Sequence, residues 1–174
     1  MARANREFKK REASVIEKKT VYVETSIVSY LTARPTSDLL AAAWQKITSD
    51  WWDTQSSRFS LYTSSIVAEE AGRGNPDAAS RRLMALSDIP LLAITEAVVA
   101  LSKALLQENA LPIKALDDSL HIAIAAVHDV DYLLTWNCRH IDNAELKPVV
   151  RKVCAAHGYV CPEICTPQEL MGVN

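Results

Sequence analysis

The sequence predicts an α/β fold of three layers, in which a central parallel sheet of about five short strands is flanked by helices. Short β-branched or aromatic runs alternate along the chain with longer Ala- and Leu-rich stretches, and this alternation is typical of a parallel sheet. Only 4 Gly occur in 174 residues, which disfavours a β-sandwich with many tight turns. A hydrophobic content of 49% with 23% charged residues indicates a folded globular chain of single-domain size.

Residues that begin and end helices divide the first half of the chain. Side chains that accept a backbone N–H favour the first turn of a helix, and Pro or Gly favours its end. Strands are predicted at 21–23 and 59–63, from their β-branched and aromatic residues. Four helices are predicted around them, beginning at Thr25 or Ser26, at Ser37 or Asp38, at Ser64, and at Asn75 followed by Pro76.

The second half of the chain continues the same alternation. A short strand at 90–94 leads into a helix that Thr95 would cap. The next helix begins at Asp117 or Asp118 and runs to Val127, and it is apolar on nearly all sides, which indicates burial on both sides. The remaining predicted elements are a strand at 131–135, a helix at 141–156 and a strand at 159–160.

Charge is unevenly distributed along the chain. The net charge of −2 gives no overall basic surface for nucleic acid. Residues 1–20, however, contain seven Lys or Arg and three Glu. We therefore predict a basic N-terminal extension at 1–19, either disordered or helical, before a single domain at 20–174. The extension is compatible with a polyanion-binding tail and equally with a merely solvated one.

The sequence predicts a cytoplasmic protein that does not enter a membrane. No run of 18 apolar residues occurs, and the charged N-terminus does not look like a secretion signal. The four cysteines, at 138, 154, 161 and 165, are therefore expected to remain reduced. Their spacing lacks the close pairs on both sides that structural zinc sites usually have.

Acidic or amide residues stand at the ends of several apolar runs. They are Glu24, Glu69 and Glu70, Asp117 and Asp118, and Asn137. A carboxylate at the end of a buried strand is costly unless a positive group lies against it. Any one of them could simply cap a helix, but several that meet at one sheet edge would form a pocket for a divalent metal ion.

Four segments of the chain follow each other in the order and with the separations of known family motifs. They are 21–26 (VYVETS), 65–70 (SIVAEE) followed by Gly74, 118–123 (DSLHIA) and 132–137 (YLLTWN). Together they resemble the PIN domain and, within it, the toxin nucleases of the VapC type. The resemblance covers about residues 20–171. It implies a PIN-like sandwich in which the four motifs meet at one sheet edge.

The resemblance implies an Mg²⁺- or Mn²⁺-dependent endoribonuclease of a toxin–antitoxin type, which hydrolyses RNA phosphodiester bonds with metal-activated water. By position, Glu24, Glu70 and Asp118 would hold the metal, and Asn137 would complete the catalytic set. The resemblance also implies a small antitoxin protein and a homodimer as partners.

Neighbouring acids compete for two of these positions. Glu70 fits the spacing to Gly74 better than Glu69, and Asp118 fits the third motif better than Asp117. Because the carboxylates of the site would crowd together, we expect one of the acids that meet there, with Glu70 as a candidate, to have a raised pKa without metal.

Four further residues are expected to support the metal ligands or to contact the substrate. They are Thr25, Asp117, His121 and Thr135. For His121 the alternative is a packed histidine that bonds a backbone carbonyl. Phosphates would need cations nearby, for which the candidates are Arg73, Arg81, Arg82, Lys114, Arg139 and the N-terminal extension.

Two residues depart from the commoner pattern of the family, which has Asp at both positions. Glu24 is one methylene longer than Asp, and Asn137 is neutral. Asn137 keeps a second function open, in which a catalytically weak PIN scaffold acts as an RNA- or protein-binding module.

Overall fold

Seven helices flank a five-stranded, all-parallel sheet in the computed structural model, which describes residues 18–172. The predicted fold class is thereby confirmed. The predicted N-terminal extension lies outside the described residues, except for Lys18 and Lys19. The strands are β1 (Thr20–Val23), β2 (Ser60–Ser64), β3 (Leu91–Leu92), β4 (Tyr132–Leu134) and β5 (Glu163–Cys165). The helices are α1 (Thr25–Thr32), α2 (Leu39–Thr54), α3 (Ser65–Ala71), α4 (Pro76–Leu86), α5 (Glu96–Gln107), α6 (Leu116–Val127) and α7 (Lys147–Ala156).

The strand order β3-β2-β1-β4-β5 places β1 in the middle of the sheet. Val21 of β1 aligns with Leu61 of β2 on one side and with Tyr132 of β4 on the other. Val21, Tyr22 and Val23 are all fully buried, as expected for a parallel strand that is covered on both faces. Burial of each such side chain stabilises the fold by roughly 1.5–3 kcal/mol.

Helix α6 is the most buried helix that carries predicted site residues. Its residues from Ile122 to Ala126 are almost completely buried, which agrees with the apolar sequence. It packs against α5, and the two helices share a buried hydrogen bond of 2.7 Å between the hydroxyls of Ser102 and Ser119. This packing fixes the N-terminal turn of α6 against α5.

Local capping signals located several helices correctly. Asp38, Asn75 and Thr95 each accept a backbone N–H in the first turn of α2, α4 and α5. At α1, by contrast, the N-cap position is Glu24 rather than Thr25 or Ser26. Helix α6 begins at Leu116, so that both of its acids lie inside the first turn and neither caps it.

The C-terminal elements differ from the prediction. The helix predicted at 141–156 begins only at Lys147, because the side chain of Asn143 accepts the N–H of Glu145 and holds a turn there. The strand predicted at 159–160 is wrong: β5 begins at Glu163, which aligns with Tyr132 of β4. None of the described helices combines the length and the apolar character that a bilayer crossing requires.

Candidate metal centre

The candidate site lies where the chain changes direction across the sheet. From β1 the chain moves outward to β2 and β3, whereas β4 and β5 lie on the other side of β1. In such sheets a crevice opens at the carboxyl ends of the two strands at the reversal, here β1 and β4. Glu24 follows β1 directly, and Thr135 follows β4. The backbone N–H of Glu24 donates to the carbonyl of Leu134 at 3.2 Å, which holds the two strand ends together.

Glu24 is a buried carboxylate held by hydroxyl groups. The residue is 6% exposed. Its Oε2 accepts hydrogen bonds from the hydroxyl of Thr135 at 2.7 Å and from the hydroxyl of Ser26. The Ser26 hydroxyl in turn accepts the backbone N–H of Trp136 at 2.8 Å. Glu24 is therefore fixed from both strand ends, and its second oxygen has no hydrogen-bond partner among residues 18–172.

Glu70 reaches the same crevice from α3. Its Oε2 accepts hydrogen bonds from the hydroxyl of Thr25 and from Nε2 of His121 at 3.2 Å. Burial raises the pKa of Glu70, but the hydrogen bonds from His121 and Thr25 and the charges of His121 and Arg73 outweigh burial and lower it. The expected raised pKa at Glu70 is therefore wrong, because an imidazole rather than another acid is its nearest titratable neighbour.

His121 lies beneath the two glutamates in the core and is only 1% exposed. Its Nδ1 is hydrogen-bonded to the hydroxyl of Tyr22 at 2.9 Å, and that hydroxyl is bonded to Ser64 Oγ at 2.7 Å. Burial lowers the pKa of His121, but the hydrogen bond that it donates to Glu70 and the charges of Glu24, Glu70 and Asp118 raise it overall. The alternative of a bond to a backbone carbonyl is wrong, since both ring nitrogens bond side chains.

Glu24, Glu70 and His121 offer ligand atoms that lie within 4.8 Å of one another. Within residues 18–172 this is the one such group of three or more His, Cys, Asp or Glu residues, and the cysteines form none. Carboxylate oxygens are the ligands that Mg²⁺ and Mn²⁺ prefer. The two glutamates therefore fit a hard divalent cation. His121 already bonds Glu70 and Tyr22, an arrangement typical of a residue that orients a ligand.

Asp118 is close to this group but is bonded to other residues. Its Oδ1 accepts the side-chain N–H of Asn137 at 2.8 Å, and its Oδ2 accepts Nδ1–H of His140 at 2.7 Å. Asn137 Oδ1 also accepts the backbone N–H of His140 at 3.1 Å. Asp118 and Glu70 line the same small cleft, of about 280 Å³. Asp118 can reach a shared cation only by giving up or sharing these bonds.

The competing acids point elsewhere. Glu69 is exposed, whereas Glu70 next to it is part of the cluster. Asp117 is exposed and its carboxylate lies 3.8 Å from the guanidinium of Arg73, so it lines the outer wall of the cleft. His140 is the site residue that sequence reasoning missed. Its position three residues after Asn137, in a turn, is the one signal that pointed to it.

The predicted site residues thus divide into three positions. Glu24, Glu70 and His121 form the inner cluster, with Thr25 and Thr135 bonded to its carboxylates. Asp118 and Asn137 form a bonded pair beside it. Asp117 stays at the rim. No protein-family model, no curated protein and no solved structure matches this chain.

Proposed function

We propose that this chain is an Mg²⁺- or Mn²⁺-dependent endoribonuclease of a toxin–antitoxin type, which hydrolyses phosphodiester bonds of RNA. The observation that carries the proposal is the convergence of Glu24 and Glu70 above His121, with ligand atoms within 4.8 Å. This convergence occurs at the carboxyl end of β1, where open parallel sheets bind their ligands.

The chain's own residues would bind and orient the reacting groups. Glu24 and Glu70 would hold the cation, and Asp118 would join them from the facing side of the cleft. Bound Mg²⁺ or Mn²⁺ would supply charge neutralisation at the phosphate and activation of water. Thr25 and Thr135 keep the two glutamates in place through their hydroxyl protons.

Water is the attacking group that fits this arrangement. The hydroxyls nearest to the glutamates, those of Thr25, Ser26 and Thr135, all donate to a carboxylate. Each therefore helps to position an acid, and a carboxylate that holds a cation is a poor base for the proton of a protein nucleophile. The proposed reaction is therefore hydrolysis by water, without a covalent protein intermediate.

A catalytically weak scaffold that binds RNA or protein is the second candidate, and Asn137 favours it. Its amide is neutral. The amide nitrogen donates to Asp118, and the amide oxygen accepts the backbone N–H of His140. Asn137 therefore adds no negative charge to the site. Fewer anionic ligands would weaken the hold on a cation and lower the rate of cleavage.

Cleavage of RNA by matched pairs of variants tests the proposal. With Mg²⁺ or Mn²⁺ present, we expect Glu70→Gln to lower cleavage by about 100-fold or more, because it removes an anionic ligand. Glu69→Gln, which changes the exposed neighbour in the same way, should cleave within twofold of wild type. The pair Asp118→Asn and Asp117→Asn repeats the comparison at the second acid.

Two results would contradict the proposed nuclease function. Equal cleavage by wild type and Glu70→Gln would indicate a contaminating ribonuclease. Binding of RNA by wild type without any metal-dependent cleavage would favour the binding module. A cytoplasmic location, a small antitoxin partner and a homodimer belong to the same proposal, and they rest on the resemblance of the motifs.

A further inference from the structure

A cleft lined by arginines lies next to the candidate metal centre. It has a volume of about 340 Å³ and is formed by the end of α1, the loop after it and the start of α4. Three arginines line it, Arg34, Arg81 and Arg82, with one acidic residue, Asp77. The cleft is thus positive although the chain as a whole has a net charge of −2.

The protein fixes two of these guanidinium groups without neutralising them. Nε of Arg81 donates to the carbonyl of Thr32 at 3.0 Å. Nε of Arg82 donates to the carbonyl of Ala71 at 2.8 Å. Within residues 18–172, none of the three lining arginines forms an ion pair with a carboxylate. Positioned guanidinium groups without a protein counter-charge are typical of sites that bind phosphate, because the planar fork matches two phosphate oxygens.

The cleft is connected to the metal centre along α1 and through the end of α3. Ser29 lines it and lies four residues after Thr25 on α1, so that the two side chains are neighbours on one helix face, about 5–6 Å apart. Thr25 is the residue that donates to Glu70. On the other side, Arg82 Nη2 donates to the carbonyl of Arg73, three residues after Glu70, at 2.6 Å. The near edge of the cleft therefore lies about one helical turn along α1 from the metal centre.

We propose that this cleft binds backbone phosphates of single-stranded RNA beside the bond that is cleaved. The proposal rests on the proposed function for the identity of the polyanion. Arginine pairs with phosphates and with carboxylates alike. The proposed function selects RNA, because a nuclease has to hold the phosphates that flank the bond it cleaves.

Binding of a fluorescent oligouridine 12-mer to the full chain in EDTA tests the proposal without cleavage. Arg34→Gln is the main variant, since the Arg34 side chain makes no hydrogen bond with any residue between 18 and 172 and its loss should leave folding intact. We expect this variant to bind the RNA about fivefold more weakly. We also expect its plot of log K against log salt concentration to be shallower by roughly 0.7, the value for one lost contact with a single strand. Arg34→Lys should keep that slope, because it keeps the charge.

Matched controls separate a local effect from a general loss of positive charge. Arg58 precedes β2 and so lies at the opposite end of the sheet from the metal centre, and Arg58→Gln should bind RNA as wild type does. Arg34→Gln combined with Arg81→Gln should lower the salt slope roughly twice as much as Arg34→Gln alone. A circular dichroism melt of this double variant checks that it is folded.

The outcomes separate the proposal for the cleft from the proposed nuclease function. Unchanged affinity and salt slope in Arg34→Gln and in the double variant would overturn the cleft, even if Glu70-dependent cleavage is observed. No RNA binding by wild type would overturn it too. If the variants bind polyglutamate more weakly than wild type does but bind RNA equally well, the cleft binds an acidic protein instead. Loss of RNA binding in the variants, without metal-dependent cleavage by wild type, would support the cleft and reject the nuclease.

Discussion

Removal of a single buried hydroxyl, in Tyr22→Phe, would test the network beneath the glutamates. Tyr22 is fully buried on β1, and its hydroxyl lies 2.7 Å from Ser64 Oγ and 2.9 Å from His121 Nδ1. Phe keeps the ring and its packing, so the change removes little except these two hydrogen bonds. His121 is 1% exposed, and water therefore cannot replace the lost partner.

The expected loss of stability follows from these contacts. Each of the two hydrogen bonds is worth about 0.5–1.5 kcal/mol, and leaving a buried polar atom without a partner adds about 1–3 kcal/mol. We therefore expect Tyr22→Phe to lower the free energy of unfolding by about 2–6 kcal/mol, or Tm by roughly 4 °C or more.

Urea unfolding of the metal-free protein measures this loss, with an unchanged m-value as the sign that only stability has changed. Tyr62 aligns with Tyr22 on the neighbouring strand β2, and its hydroxyl makes no hydrogen bond among the described residues. Tyr62→Phe is thus the matched control and should lie within about 0.5 kcal/mol of wild type. If Tyr22→Phe unfolds with the same midpoint as Tyr62→Phe, the Tyr22 hydroxyl does not hold His121 in place. The inference that Tyr22 supports Glu70 through His121 would then be wrong.

Two further predictions concern cations and pH. Saturation with Mn²⁺ at about 100 times Kd should stabilise wild type by about 2.7 kcal/mol, and a thermal melt of Glu24→Gln should show no such rise while Glu69→Gln keeps it. Without metal, the pKa of His121 is raised above its usual 6.5, so its stabilising contribution is present below pH 6.5 and is lost as pH rises through the higher value of the folded state. The pKa of Glu70 is lowered from 4.5, so its contribution is present above that pH and is lost as pH falls through the lower value. The urea midpoint of wild type, measured between pH 3 and 9, should therefore fall at both low and high pH. Both falls should be smaller in Glu70→Gln. A wild-type midpoint that does not change with pH would contradict the pairing of Glu70 with His121.

Local signals in the sequence were enough for much of the fold. The caps Asp38, Asn75 and Thr95 act on their own first turn, so their effect does not depend on distant packing. The last strand was different, because 159–160 has the residue types of a strand but β4 pairs with Glu163 to Cys165 instead. Pairing of distant segments decides such a strand, and single-sequence patterns do not contain that information.

The site, like the fold, could be predicted from the sequence only in part. The sequence indicated that Glu24 and Glu70 would meet, since Glu24 directly follows one parallel strand and Glu70 lies on the short helix that follows the next. It did not indicate that Asp118 would be held by His140 and Asn137. His140 is placed by a turn after β4, and the direction of a side chain in a turn depends on its tertiary contacts.

Positive charge beneath and beside the acids explains how they can converge without metal. Three carboxylates in one cleft would repel one another, and the expected raised pKa followed from that repulsion alone. Instead, the raised pKa of His121 favours an imidazolium whose Nε2–H donates to Glu70 and whose Nδ1–H donates to Tyr22. A bound divalent cation would compete with this imidazolium for the charge of Glu70. Cation binding should therefore be coupled to loss of the His121 proton, because two positive charges beside one carboxylate are less favourable than one.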